Sequence, residues 1–323
     1  MWHSAMRALA LCAFVCGPAT ALAQTYPSKP ITVVVPFATG KTADIVARAL
    51  GQNLAKELGQ PIIVDNKGGA GGTIATALLA RAPADGYTIM VHHMGIAFNA
   101  SLYDRLPYDT LRDIAPVAYV GATPNVLVVT NTFSAKTIEE FLAEARAKPA
   151  TINYGSGGIG SAGHLPFELL QSMTGIKLVH VPYKGSGPAL TDLMSGQIQA
   201  MLLTAPAVMP HVSSNRVRAL ATSGARRTPA LPNLPTLDEA GVKGFEYSPW
   251  YGAFAPAGVP APVLARLHSA FNTAIADPDI RQKLAQQGLE VQELTRQQFV
   301  ELVQADTAKW GRLIKALGIR VAD

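Results

Sequence analysis

Cysteine is nearly absent from this 323-residue chain. Cys12 and Cys16 are the two it has, and both lie in an N-terminal stretch laid out like a secretion signal. Arg7 supplies a positive start and Ala8 to Val15 an apolar centre. Ala21-Leu22-Ala23 then offers the small residues that precede a cut near Gln24. Processing there removes residues 1–23 and leaves no cysteine, which excludes disulfides, thiol chemistry and Cys-based metal sites. Neither cysteine follows the small residue that a lipid-attachment signal wants. Long apolar runs are missing too: the N-terminal one is too short to span a bilayer, and no second candidate follows. The expectation is an exported protein with no membrane anchor.

Charge is also sparse, at 15% of residues, and no block of Lys or Arg concentrates it. Without Arg7 the chain carries 26 basic and 22 acidic residues, a net charge of about +4. A nucleic-acid partner wants a basic stripe, so none is expected. A weak positive field of this kind helps to steer small anions.

What is present is alternation. Ile31–Val35 reads as a strand, Ala43–Leu58 as a helix and Pro61–Asp65 as a second strand. After the loop Asn66–Gly72 come a helix, Thr73–Arg81, and a strand, Tyr87–His92. The same grammar returns at Thr151–Tyr154, Leu165–Met173, Leu178–Val181, Ala189–Ser195 and Ile198–Leu203, with a further strand at Val217–Thr222. Such alternation predicts parallel sheets with helices on both faces. Roughly 300 mature residues suffice for two such domains. Tyr247–Phe254 reads as strand-like and Pro260 to the end as helices. These need a sheet to cover, and the first domain is the natural host. The predicted division is domain I at 24–123 plus 225–323 and domain II at 124–224. Ligands sit in the cleft of such folds, at the carboxyl ends of the strands.

Three loops carry candidate chemistry. The first, Gly40-Lys41-Thr42, places backbone N–H groups at a helix start, where dipole and orphan donors favour an anion. A nucleotide loop, G-x-x-x-x-G-K-S/T, needs glycine where Val35 stands, and Pro36 stiffens the turn. A Walker-B-like strand, Ile62 to Asp65, does not rescue that reading. Thr39, Thr42 and the local amides then point to a small anion, with Lys41 as an added charge favouring a dianion. The second loop, Asn66 to Thr73, has four glycines in five residues at 68–72, which lets backbone approach a ligand. The third, Tyr154 to His164, holds Ser156 and Ser161 near His164. It lacks the G-x-S-x-G spacing of a nucleophile elbow and an evident acid, which disfavours a hydrolase. A carboxylate clamp built from serine hydroxyls and helix amides needs less machinery. His92-His93-Met94 looks like a soft-metal cluster, but neighbours on a strand point to opposite faces, so no metal is expected. One of the two histidines, His93, is a candidate to line the cleft. Asp44 reads as a favourable charge in a first helical turn.

Val35-Pro36-Phe37, Gly69-Ala70-Gly71-Gly72, Ala84-Asp85-Gly86-Tyr87 and Asn99 with Ser101-Leu102-Tyr103 follow a known pattern in order. So do His180 through Gly185, Leu231-Pro232 through Pro235-Thr236, Trp250-Tyr251-Gly252 and Ala255 through Gly258. Over essentially the whole mature chain the sequence resembles the Bug family, the extracytoplasmic receptors of tripartite tricarboxylate transporters. The resemblance implies an α/β, two-domain periplasmic-binding-protein fold of type II that closes on a small carboxylate, in the periplasm. It implies no enzyme activity and no cofactor. It carries ligand contacts onto Phe37, Thr39, Thr42, Gly71, Gly72, Ser156, Ser161 and Thr204. Gly40, Lys41, His93 and Gly160 join them as candidates from the loops themselves. The implied partners are the ligand, a di- or aromatic carboxylate, and membrane permease subunits, with a sensor kinase as the alternative; the protein is expected to work as a monomer. The chain departs from the pattern at Gly40-Lys41, where a Gly-Gly pair is common, and at His92-His93-Met94, where small hydroxyl residues are usual. It departs again near Leu203 and Thr204, which offer no charge where an acid or amide is common. Missing acidity there argues against an amino-acid ligand.

Overall fold

A computed structural model describes residues 26–229 and 231–321. The secretion-signal reading, including the cut near Gln24, lies outside the described residues.

Among the described residues, ten strands build two five-stranded sheets. The first contains β1 (Ile31–Val35), β2 (Ile62–Asn66), β3 (Thr88–His93), β4 (Ile114–Ala122) and β10 (Trp250–Pro256), in the order β2-β1-β3-β10-β4. The second contains β5 (Asn125–Thr130), β6 (Asn153–Ser156), β7 (Val179–Pro182), β8 (Ala200–Thr204) and β9 (Val217–Thr222), in the order β7-β6-β8-β5-β9. Each sheet begins as a parallel trio: β1 pairs with β2 and β3, and β6 with β7 and β8. Each then takes one antiparallel strand, β10 between β3 and β4, and β5 between β8 and β9. The sheets are therefore mixed, a correction to the all-parallel expectation. The antiparallel strands are the ones that the chain delivers as it passes between domains. β5 follows β4 across Thr123-Pro124, and β10 arrives on the return, after β9. A strand entering from the neighbouring domain has no crossover helix to reverse its direction, so it need not run parallel.

The β-branched runs explain the central strands. Val33, Val34 and Val35 are buried on both faces of β1, as a sheet covered on two sides requires. The helix Thr42–Leu58 buries Val46, Leu50, Leu54 and Leu58, one stripe at helical spacing. The long C-terminal helix Arg296–Ala316 starts with a capping box, Thr295 and Gln298 satisfying each other's backbone N–H. It packs on β4 and on the short helix Gly95–Leu102, while the helix Ala261–Ala276 packs on β4 and on Thr42–Leu58. The C-terminal helices thus return to the first sheet.

Both domains contribute to one continuous buried cluster, which includes Val34 and Met90 of the first sheet and Leu127, Tyr154 and Leu202 of the second. The carboxyl ends of β1 and β3 and the loop after β6 face each other across this junction. No helix among the described residues is long and apolar enough to cross a membrane.

Candidate functional site

A cavity of about 440 Å³ lies between the domains, within the size range of small-molecule sites. Phe37, Gly71 and His93 line it from the first domain; Gly160, Ser161 and Thr204 line it from the second. Tyr247, Pro249 and Tyr251 close it from the returning segment. The domains touch at its rim: a methyl added to Gly160 would lie 2.7 Å from Cδ1 of Leu102.

The first loop is built differently from the open anion cradle that its sequence implies. The Gly40 N–H already donates to Oδ2 of Asp44, at 2.8 Å. Arg48 Nε and Asn66 Nδ2 both donate to Oδ1 of the same carboxylate, at 2.9 and 3.0 Å, and Asn66 also holds the Phe37 carbonyl at 3.0 Å. Burial favours the neutral acid, but these hydrogen bonds outweigh it and keep the Asp44 carboxyl below its ordinary range. The cradle's anion is the protein's own. Thr39, Gly40 and Lys41 stand exposed on the turn outside the cavity lining, because that turn is wrapped around Asp44. Thr42 is also outside the lining, with its side chain against the Tyr251 hydroxyl.

The glycine-rich loop packs into the site. Gly71 reaches the cavity at φ +62°, and Asn99 Nδ2 donates to its carbonyl at 3.2 Å. Gly72 sits behind it, at φ +93°, where a Cβ would lie 2.5 Å from Nε2 of His92. No side chain fits there, so Gly72 supports the loop and is absent from the lining.

His92 and His93 do not diverge as a regular strand predicts. Their ring centroids are 5.0 Å apart. His93 ends β3, and its Nδ1 accepts the Gly95 N–H at 2.7 Å, which folds the ring back over the turn. The ring stacks on Phe37 at 4.8 Å and 13°, with Tyr251 edge-on at 6.1 Å. Burial lowers its pKa to about 4, so it is neutral at pH 7 with its proton on Nε2. His92 is fully buried, with Nδ1 donating to the His93 carbonyl at 2.8 Å and Nε2 unpartnered among the described residues.

In the second domain the serines separate. Ser161 lines the cavity, and its buried hydroxyl has no partner among the described residues. Ser156 lies beneath the loop, fully buried, with Oγ 2.6 Å from His180 Nε2 and hydrogen-bonded to Gly158. A nucleophile sealed from solvent in this way cannot reach a substrate. His164 does not face a serine; its Nδ1 accepts the Gly160 N–H at 3.1 Å and its ring stacks on His180 at 4.1 Å. Thr204 caps the helix Ala205–Ser213 by position but not by its side chain, which leaves that hydroxyl on the cavity wall.

Sequence reading did not single out Phe98, Thr123 or Tyr247 as site residues. Phe98 sits on a helix without a polar face, so no periodicity marks it. Thr123 Oγ1 and the Tyr247 hydroxyl are buried on the wall without a partner among the described residues. Among the described residues, none that lines the cavity is Asp, Glu, Lys or Arg. No cluster of metal-ligating side chains occurs among the described residues.

Comparison with known proteins agrees with this two-domain fold. The family model for the tripartite tricarboxylate transporter family receptor matches residues 46–319. BugT of Bordetella pertussis is 35% identical over 301 residues, which cover 93% of this chain and 92% of that protein. The R. palustris protein Rpa4515, solved with adipate, is 35% identical with a TM-score of 0.79, over 92% of this chain and all of that one. MatC from Rhodopseudomonas palustris, solved with bound malate, is 34% identical with a TM-score of 0.75, over 90% of this chain and 100% of its own.

Proposed function

The chain belongs to the receptor family of the tripartite tricarboxylate transporters, and from that membership we propose that it captures a small organic carboxylate in the periplasm and presents it to the permease subunits of such a transporter. It is a binding protein, not an enzyme, as its family is. The observation that carries the ligand class is the interdomain cavity, whose polar groups are neutral donors and hydroxyls with no acid to pair an ammonium. Phe37, Gly71 and His93 act from one side, and Gly160, Ser161 and Thr204 from the other. Division at 24–123 plus 225–323 and at 124–224 puts the hinge at the two crossings beside Thr123 and Gly224. A ligand that touches both lobes favours the closed state over the open one, and that difference is the whole mechanism.

A thermal-shift screen of carboxylates tests the reading. At a hundred times its Kd a true ligand adds about 2.7 kcal/mol to stability and raises Tm by several degrees. Amino acids and sugars should leave Tm unchanged; a shift with them and none with any carboxylate that lacks an ammonium group would overturn it. Delivery is checked by uptake, which should fall in cells lacking this protein and return when it is restored.

A further inference from the structure

We propose that Gly318–Val321 form a strap across one wall of the ligand site, with Val321 against the bound ligand, and that release of this strap sets how fast the ligand leaves. The inference rests on the carboxylate-binding reading and adds a contact outside the three loops.

The sequence reads as helix from Pro260 to the end, but the chain leaves the helix Arg296–Ala316 at Gly318. This glycine takes the left-handed region, at φ +63°. Its N–H donates to the Lys315 carbonyl at 3.2 Å, and the Ile319 N–H reaches back to the Ile314 carbonyl at 3.0 Å. Those two bonds form the helix-ending motif that a left-handed glycine favours, and they reverse the chain. Ile319 then packs on the buried cluster that holds Ile314. Arg320 pairs with Asp104. The Val321 N–H donates to the Leu102 carbonyl at 3.0 Å, and Val321 lines the interdomain cavity.

The landing point gives the strap its role. Leu102 lines the same cavity and is the residue that Gly160 of the second domain approaches. The strap therefore ties the C-terminal helix to the place where the domains meet, and Val321 adds an apolar surface there. Its hold is light. Among the described residues, one backbone hydrogen bond and one ion pair between exposed side chains fasten Arg320 and Val321. Bonds of these two kinds contribute little each. Segments with few buried contacts open locally well before the fold does. A wall that opens in this way is an exit.

Charge placed at Val321 tests the contact, and loss of its N–H tests the strap. The probes are malate and adipate or, if the wild type takes neither, whichever carboxylate raises its Tm most. Asp and Asn match in size. In calorimetry at about 0.15 M salt, Val321→Asp should bind each probe at least about tenfold more weakly than Val321→Asn, because a carboxylate on the wall opposes the ligand's own. A purely structural role would cost the two variants equally. Val321→Pro removes the N–H donor and should speed dissociation about fivefold in stopped-flow displacement. Should that variant not fold, Gly318→Val, which strains the reversal, takes its place with the same expected rise. Asp and Asn variants within about twofold of each other overturn the contact, since a charge remote from the ligand is screened by water and salt. Dissociation within about twofold of the wild type overturns the strap as an exit. A wild type that takes no carboxylate at all overturns the carboxylate reading itself, an outcome distinct from both.

Discussion

In the first domain the loop at the end of β1 is braced by a carboxylate: Asp44 collects the Gly40 N–H, Arg48 and Asn66. In the second domain the equivalent loop, after β6, is braced by two imidazoles. His164 accepts the Gly160 N–H, His180 meets Ser156 Oγ, and the two rings stack. The topology is shared and the chemistry is not. The charged brace consumes donors that could have held a ligand, whereas the neutral brace sits below the loop and leaves the Ser161 hydroxyl facing the cavity. The two supports should also answer differently to acid. A carboxylate with a lowered pKa keeps its hydrogen bonds down to low pH, but an imidazole kept neutral by burial must eventually take a proton.

The largest expected effect comes from the contact where the two loops' domains meet. Gly160 has φ +73°, and any side chain there strikes Leu102. Gly160→Val adds backbone strain of about 1–3 kcal/mol to that collision. Because the clash falls where the two domains touch beside the cavity, ligand affinity should fall about a hundredfold by calorimetry. Unchanged affinity would mean that Leu102 and Gly160 separate when ligand is bound.

The brace in the first domain comes next. Asp44→Ala removes an acceptor from Gly40, Arg48 and Asn66 and should cost about 3 kcal/mol in urea unfolding, since hydrogen bonds to a charged acceptor are the stronger kind. Affinity should change less than stability, because Asp44 supports Phe37 from behind. A loss confined to affinity would put the cradle back into the binding site.

Acid separates the two braces. Burial lowers the His164 pKa to about 4, and burial together with neighbouring His164 does the same for His180. In the unfolded chain these groups titrate near 6.5. Between pH 4 and 6.5 the unfolded state therefore binds more protons, so stability falls as pH falls, by about 1.4 kcal/mol per pH unit for each such histidine. Above pH 6.5 the contribution is constant. His164→Asn keeps an acceptor for Gly160 but cannot be protonated, and its urea stability should decline less steeply between pH 6.5 and 4.5. A slope equal to that of the wild type would show that His164 charges freely in the native state.

Much of this arrangement is legible in the residues, and the illegible part has physical causes. β1 and the helix Thr73–Arg81 fall where the patterns place them, and Thr42–Leu58 differs from its reading by one residue. Strand direction is another matter, because Val126 to Val129 in β5 are as apolar as Val33 to Val35 in β1 although their pairings differ. A strand buried on both faces carries no mark of its direction. The helix Gly95–Leu102 escaped reading for a related reason: Ile96, Ala97, Phe98, Asn99 and Leu102 are all buried, so no polar face reveals a 3.6-residue period. In the site, the loops were legible as loops through their glycines. What each polar group touches was not, since the carboxylate that fills the first cradle lies two residues past Thr42 and looks like an ordinary first-turn charge.

Lys41 is where that misreading has its smallest expected consequence. From sequence it stands beside an amide cradle and should favour a dianion. In the fold it occupies the N-cap position of Thr42–Leu58, exposed, and outside the cavity lining. A solvated ammonium at the protein surface acts on a buried ligand only through water and salt, and at physiological ionic strength such an interaction is largely screened beyond about 8 Å. Lys41→Ala should therefore shift affinity by less than about twofold, equally for adipate and benzoate, in calorimetry at 0.15 M salt. A loss of about fivefold or more for adipate alone would bring Lys41 to the ligand on closure and restore the first loop as a charged jaw.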